Sequence, residues 1–342
     1  MNYIFLVSET TSKNNLWLYR DIEKEEDVVF KCPWGSGNLF SKCLRFLLSK
    51  IGRLFRRDLI KRINSNPIKI KPDQQYCFIV ETGYLMTCEP NFFETIKKNK
   101  NVIVFLMLVD AMKASSPSLA AMKDQVLNNK WDAVFTFEKA DAEEYGWFYS
   151  GINYSSLPRS RNRKNVYDAY FVGGLKGERN ELIISSYKLF AENNISCRYD
   201  LWYPNKKALA DFNELKKRCK AIKNSGNKSC IVFHKHWMKY RKVRKLVESS
   251  NCVVELVQKG QKNQTMRWFE AVFYGKKLLT NNCNIKSLPY YDGRFMRCFS
   301  SAEEIDLEWL KNRDDVNYDY HNDFSPSDLL RKIKEKSKEL MR

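Results

Sequence analysis

The sequence predicts an α/β protein built on parallel sheets, and three observations carry that prediction. Short apolar runs alternate with helical patterns, as in sheets covered on both faces. The alternation restarts after a polar, basic, proline-containing stretch at 155–167, which divides the 342 residues into two domains of ordinary size. Two early strands end in carboxylates and one later strand ends in glycines, at the edge where such sheets hold ligands.

Tyr3-Ile4-Phe5-Leu6-Val7-Ser8-Glu9 is too short for a helix and reads as a buried strand. Cys32-Pro33-Trp34-Gly35-Ser36-Gly37 marks a loop. Residues 77–81 form a second strand that ends at Thr82-Gly83, and 102–109 a third that ends at Asp110. Residues 132–137 form a fourth, with a helix starting at 138–141. Glu81 and Asp110 therefore stand at strand ends. Each is either a site residue or the cap of a following turn or helix.

Residues 39–57 read as an amphipathic helix. Leu39, Cys43, Leu44, Phe46, Leu47, Leu48, Ile51, Leu54 and Phe55 share a broad face. Lys42, Arg45, Arg53 and Arg56 lie opposite, with Lys50 and Arg57 at the border. Such a helix either rests in the interface of an anionic membrane or covers a sheet with its basic face solvated. Gly52 weakens it by ~1 kcal/mol relative to alanine.

In the second half, Tyr170-Phe171-Val172 is a strand running into Gly173-Gly174-Leu175-Lys176-Gly177-Glu178-Arg179, and a helix follows to about 192. A glycine turn before a helix lets backbone N–H groups and the helix start approach phosphate, with Lys176 and Arg179 adding charge; a plain tight turn is the alternative. Residues 230–233 and 252–257 are further strands. After the second come a polar loop, a helix that Thr265 caps and Gly275 ends, and another strand. Arg267 and Glu270, three apart near the helix start, suit a diphosphate and two ribose hydroxyls, or else pair with each other.

Composition narrows the classes. With 59 Lys+Arg against 40 Asp+Glu, the net charge of +19 calls for an anionic partner. Hydrophobic residues at 44% and aromatics at 14% exclude a disordered chain. No run reaches the ~18–20 apolar residues of a membrane span. Ten cysteines without a CxxC pair, and no signal peptide, predict reduced thiols in a cytoplasmic protein. His234 and His236 flank Lys235 after a strand, but no carboxylate stands at ligand spacing, so no metal site is expected. Asp314-Asp315 reads as a solvated loop.

The stretch Gln264-Thr265-Met266-Arg267, then Glu270-Ala271, then Gly275-Lys276-Lys277-Leu278-Leu279-Thr280-Asn281-Asn282 resembles the donor-binding signature of bacterial GT-B-type glycosyltransferases of cell-surface polysaccharide and lipopolysaccharide biosynthesis. The segments 132–137, Tyr145-Gly146 and 168–173 are also similar to segments of that family. Gln264 departs from the pattern, standing where glycine is usual, and narrows the loop's approach to phosphate. The resemblance implies two Rossmann-like domains with parallel sheets facing a cleft: 1–157 for the acceptor and 158–342 for the donor, with room for the C-terminal helix to pack back on the first. It implies a nucleotide-sugar donor, a glycan or lipid-linked acceptor, and no required cofactor or protein-held metal. Donor binding then falls to Gly173, Gly174, Lys176, Arg179, Glu255, Gln264, Thr265, Arg267 and Glu270. Glu81 and Asp110 are the candidate bases for an inverting reaction. The expected location is cytoplasmic, peripheral on the inner membrane face through 39–57. The competing readings are a basic nucleic-acid-binding protein, against which no nucleic-acid motif is present, and a catalytically silent scaffold of the same fold.

Overall fold

The computed structural model describes residues 1–8, 19–33, 39–54, 58–108, 111–112, 123–128, 130–151, 165–175, 179–202, 209–222, 229–236, 238–258 and 262–341. The chain divides into two units, Met1–Ser155 with Asn322–Arg342, and Ser156–His321. Each carries a six-stranded sheet in which every neighbouring pair is parallel. The α/β class expected from the alternating runs is the observed one.

In the first unit, β1 (Asn2–Leu6), β2 (Val28–Lys31), β3 (Tyr76–Glu81), β4 (Val102–Met107), β5 (Ala133–Thr136) and β6 (Phe148–Tyr149) lie in the order β2-β1-β3-β4-β5-β6. Side chains alternate between faces, so Phe78, Val80, Val104 and Leu106 fill one core layer while Cys77, Ile79, Ile103 and Phe105 fill the other. Burial on both faces explains why these strands are continuous apolar runs. The unit's described helices before residue 155 are α1 (Leu39–Leu54), α2 (Leu59–Asn64), α3 (Thr82–Leu85), α4 (Phe92–Lys97), α5 (Lys123–Asn128) and α6 (Lys139–Tyr145). α1 occupies the expected place, and residues 55–57 fall outside the described residues. Leu44, Phe46 and Leu47 on α1 are 40%, 59% and 56% exposed, so at these positions the helix does not cover the sheet.

In the second unit, β7 (Tyr167–Gly174), β8 (Cys197–Trp202), β9 (Cys230–His234), β10 (Ser250–Glu255), β11 (Lys277–Thr280) and β12 (Met296–Cys298) lie in the order β12-β11-β10-β7-β8-β9. With them come α7 (Arg179–Glu192), α8 (Leu209–Lys220), α9 (Tyr240–Glu248), α10 (Met266–Tyr274) and α11 (Leu307–Lys311). Most of the stretch 155–167 lies outside the described residues, and Tyr167 already opens β7. The run 197–202 was not legible as a strand because Arg198 and Asp200 interrupt it. The fold accepts them because Arg198 Nε donates to Asp200 at 2.8 Å and His234 Nε2 lies 2.6 Å from the same carboxylate.

Asp314-Asp315 lies in a largely exposed loop, as expected, but Asp314 is anchored there. It pairs at 2.6 Å with Lys277, a lysine with no exposed surface. Lys277 Nζ also donates to the carbonyls of Trp309 and Asn312, which ties the chain after α11 to β11.

The last helix, α12 (Pro326–Leu340), starts with Ser325 accepting the Asp328 N–H and proline in its first turn. Leu329, Leu330 and Ile333 share a core layer with Tyr3, Phe5 and Ile79. Tyr3 and Ser337 share a hydrogen bond of 2.9 Å, and Lys334 pairs with Asp27 at 2.8 Å. The end of the chain thus completes the first unit.

Candidate functional site

In an open parallel sheet, ligands gather beyond the carboxyl ends of the strands where the chain's progression reverses. In the second unit that point lies between β7 and β10, since β8 and β9 extend one way and β11 and β12 the other. Nearly every predicted donor residue with a described position is gathered around it.

β7 ends in Gly173 and Gly174. A Cβ on Gly174 would stand 2.7 Å from the Trp202 ring, and one on Gly173 2.7 Å from the Phe171 ring. Lack of space, not a left-handed backbone, demands glycine here. Arg179, the first residue of α7, folds back over this turn. Its guanidinium donates to the Gly174 carbonyl and, at 2.9 Å, to the Leu256 carbonyl beyond β10. It therefore straps the two strand ends together, and burial lowers its pKa to about 10. Lys176 lies outside the described residues.

Glu255 closes β10 with both carboxylate oxygens engaged, one by the Thr265 hydroxyl and one by the Thr280 hydroxyl. Burial raises its pKa, and those two hydrogen bonds oppose the rise. Thr265 also accepts the N–H groups of Arg267 at 3.0 Å and Trp268 at 3.3 Å, and Gly275 closes α10 in the left-handed region at φ 59°. Gln264 is buried, so it turns inward rather than across the loop's outer face. One residue past β11, Asn281 Oδ1 accepts the Val257 N–H at 2.6 Å, and Asn282 Nδ2 donates to the Lys262 carbonyl at 3.2 Å. These asparagines, which close the stretch that carries the resemblance, hold the loop at Val257 and Lys262.

Arg267 and Glu270 form an ion pair along α10. The Arg267 side chain keeps 14% exposure while that of Glu270 has none. The sequence expectation placed both side chains toward a ligand; the structure leaves only Arg267 partly exposed and buries Glu270 completely beside it. Burial raises the Glu270 pKa to about 7 against the opposing influence of Arg267 and Tyr240. Tyr170, on β7, feels both this pair and Asp200 with Arg198, and burial raises its pKa well above the ordinary value. Beneath the switch point the interior is thus aromatic and charged, with the charges paired.

The first unit has its own switch point, between β1 and β3. Glu81 stands there as expected, fully buried. It accepts the Ser8 N–H at 2.6 Å and the Tyr19 hydroxyl at 3.0 Å. A Cβ on Gly83 would come within 2.6 Å of Ser8 Cβ, so the same crevice is closed tightly from the α3 side. Asp110 lies outside the described residues. No group of three or more potential metal ligands occurs among the described residues, and no described helix is long and apolar enough to cross a membrane.

No protein-family model and no curated protein matches this chain. Solved structures do match its fold. The structure of HepE from Anabaena in complex with UDP and glucose aligns with TM-score 0.61 at 10% identity, over 99% of this chain and all of that one. A UDP-forming α,α-trehalose-phosphate synthase from Burkholderia xenovorans aligns with TM-score 0.55 at 10% identity over the full length of both chains. TarM aligns with TM-score 0.52 at 13% identity over 78% of this chain, which spans about half of TarM's own length, 55%. A TarM variant is solved with UDP and HepE also with UDP-glucose. The similarity establishes a GT-B-like α/β fold.

Proposed function

We propose that this chain transfers a sugar from a nucleotide-activated donor to a glycan or lipid-linked acceptor in surface polysaccharide biosynthesis, and that the second unit holds the donor at the β7–β10 switch point. The observation that carries this reading is what converges there: a glycine turn with no room for a Cβ, a capped helix start, and the partly exposed side chain of Arg267. The nucleotides bound to HepE and the TarM variant support the ligand class.

On this reading Arg267 meets the diphosphate, and backbone N–H groups of the Gly173–Gly174 turn approach it from the other side. Glu270 holds Arg267 from within, while Arg179, Glu255 and Thr265 shape the turn and loop. The charge that develops on the leaving diphosphate is met by hydrogen bonds and basic groups. Glu81, whose oxygens serve Ser8 and Tyr19, is assigned to shaping the first unit's crevice, and Asp110 is the residue to test as base.

Calorimetric titration with UDP, GDP and CMP tests the donor site. One of the three is expected to bind, and Arg267→Ala to weaken it at least tenfold, about 1.4 kcal/mol. Salt-sensitive binding of single or double strands without nucleotide affinity would move the reading to nucleic acid. Affinity for neither would leave a silent scaffold.

The acceptor reading extends to α1, whose exposed Leu44, Phe46 and Leu47 accompany the basic positions Lys42, Arg45, Lys50 and Arg53. Apolar side chains that enter the interface beside cations are drawn to anionic lipid. The protein is expected to co-sediment with vesicles containing phosphatidylglycerol. A Phe46→Asp/Leu47→Asp variant should remain in the supernatant with an unchanged melting curve. Equal sedimentation of parent and variant, or none by the parent, removes the membrane from this account.

A further inference from the structure

Cys283 and Cys298 are both exposed free thiols, and the Cys298 thiol donates a hydrogen bond to Cys283 Sγ at 3.6 Å. Their approach is enforced by the fold around them. β11 and β12 pair in parallel with Thr280 opposite Cys298, and the Phe299 N–H returns to the Thr280 carbonyl at 2.9 Å. Cys283 begins the 3-10 turn Cys283–Ser287, whose start is set by Asn282 accepting the Asn284 N–H at 3.1 Å. Two sulfurs on separately anchored segments need only close from 3.6 Å to a bond of about 2.05 Å.

We propose that Cys283 and Cys298 are a redox-modification site that closes a reversible disulfide on meeting a peroxide. Cys283 sulfur attacks a peroxide oxygen and becomes a sulfenic acid as one water leaves. Cys298 sulfur then displaces the sulfenic oxygen as a second water and forms the S–S bond. In sum two thiols and one hydrogen peroxide give one disulfide and two waters; both sulfurs are oxidised and the peroxide is reduced. The order follows from the hydrogen bond, in which Cys298 keeps its proton, and burial with its neighbour Cys283 holds the Cys298 thiol above its ordinary range. The bond would close on the turn whose Asn284 and preceding Asn282 grip the Lys262 carbonyl. The proposal stands independently of the donor reading.

The test is peptide mapping of the full chain after brief hydrogen peroxide treatment, without reductant. A peptide pair joined through Cys283 and Cys298, lighter by two hydrogens and separated again by dithiothreitol, is expected. In Cys298→Ser, dimedone should instead trap Cys283 as the sulfenic acid, and the exposed position should let this variant melt as the parent does. Equal iodoacetamide labelling of both thiols before and after peroxide would overturn the proposal. So would a linkage of either to any other cysteine, or dimedone labelling of Cys298 in preference to Cys283.

Discussion

Replacing Lys277 by alanine is expected to lower the unfolding free energy of the second unit by about 3–5 kcal/mol, the range for removing one partner of a buried ion pair. The ammonium is fully buried and meets three acceptors: the Trp309 carbonyl at 2.7 Å, the Asn312 carbonyl at 2.8 Å and Asp314 at 2.6 Å. It also lies 5.0 Å from the centre of the Trp309 ring. Its loss takes a buried donor from the Trp309 carbonyl and leaves a cavity beside β11, while the Asn312 carbonyl keeps Asn251 and Asp314 keeps Asn312. Asp314→Asn should cost far less, because Asp314 is 31% exposed and the two carbonyls still receive the ammonium. Urea denaturation of parent and both variants measures this. A loss below about 1 kcal/mol for Lys277→Ala would show that water reaches the site and replaces the lysine.

Glu270→Gln is expected to reverse its effect on stability with pH. Burial lifts the folded-state pKa of Glu270 to about 7 from an ordinary 4.5. Between those values the native protein retains a proton that the unfolded chain has released. The associated stability is therefore fully present below 4.5 and is lost as pH rises through 7. Glutamine keeps the shape without the titration, so the variant should gain roughly 2–3 kcal/mol on the parent between about pH 5 and pH 8. A difference independent of pH would mean that Arg267 holds the carboxylate ionised throughout.

The same variant separates two roles in the proposed donor site. If Glu270 positions Arg267, the substitution weakens a nucleoside diphosphate and its 2′,3′-dideoxy analogue by the same factor, about tenfold or more. If Glu270 reaches the ribose instead, the dideoxy compound binds the parent weakly and scarcely distinguishes parent from variant. The complete burial of Glu270 favours the first outcome.

Local features were legible because contiguous residues decide them. The strands at 77–81, 102–107 and 252–255 announce themselves, since burial on both faces demands unbroken apolar runs. Thr265 and Gly275 bound α10 by the chemistry of their own side chains and backbone. Their order along the chain was enough to place Gly173–Gly174, Glu255 and Arg267 near one sheet edge. The sense in which each charge is used was not legible. Arg179 straps Leu256, 77 positions away, and Asn251 binds the carbonyls of Leu310 and Asn312. The strand at 197–202 carries a buried carboxylate, Asp200, which His234 and Arg198 share.

By itself, then, the sequence determined the two α/β sheets and the capped helix after β10. Only the tertiary structure decided that Glu270 lies inside, that Lys277 is a buried anchor, that Cys283 faces Cys298, and that the last helix completes the first unit. Periodicity and capping are properties of neighbours in the chain. The burial of a charge, or the meeting of two thiols, is settled by partners that are distant in sequence and are brought together only when each unit folds.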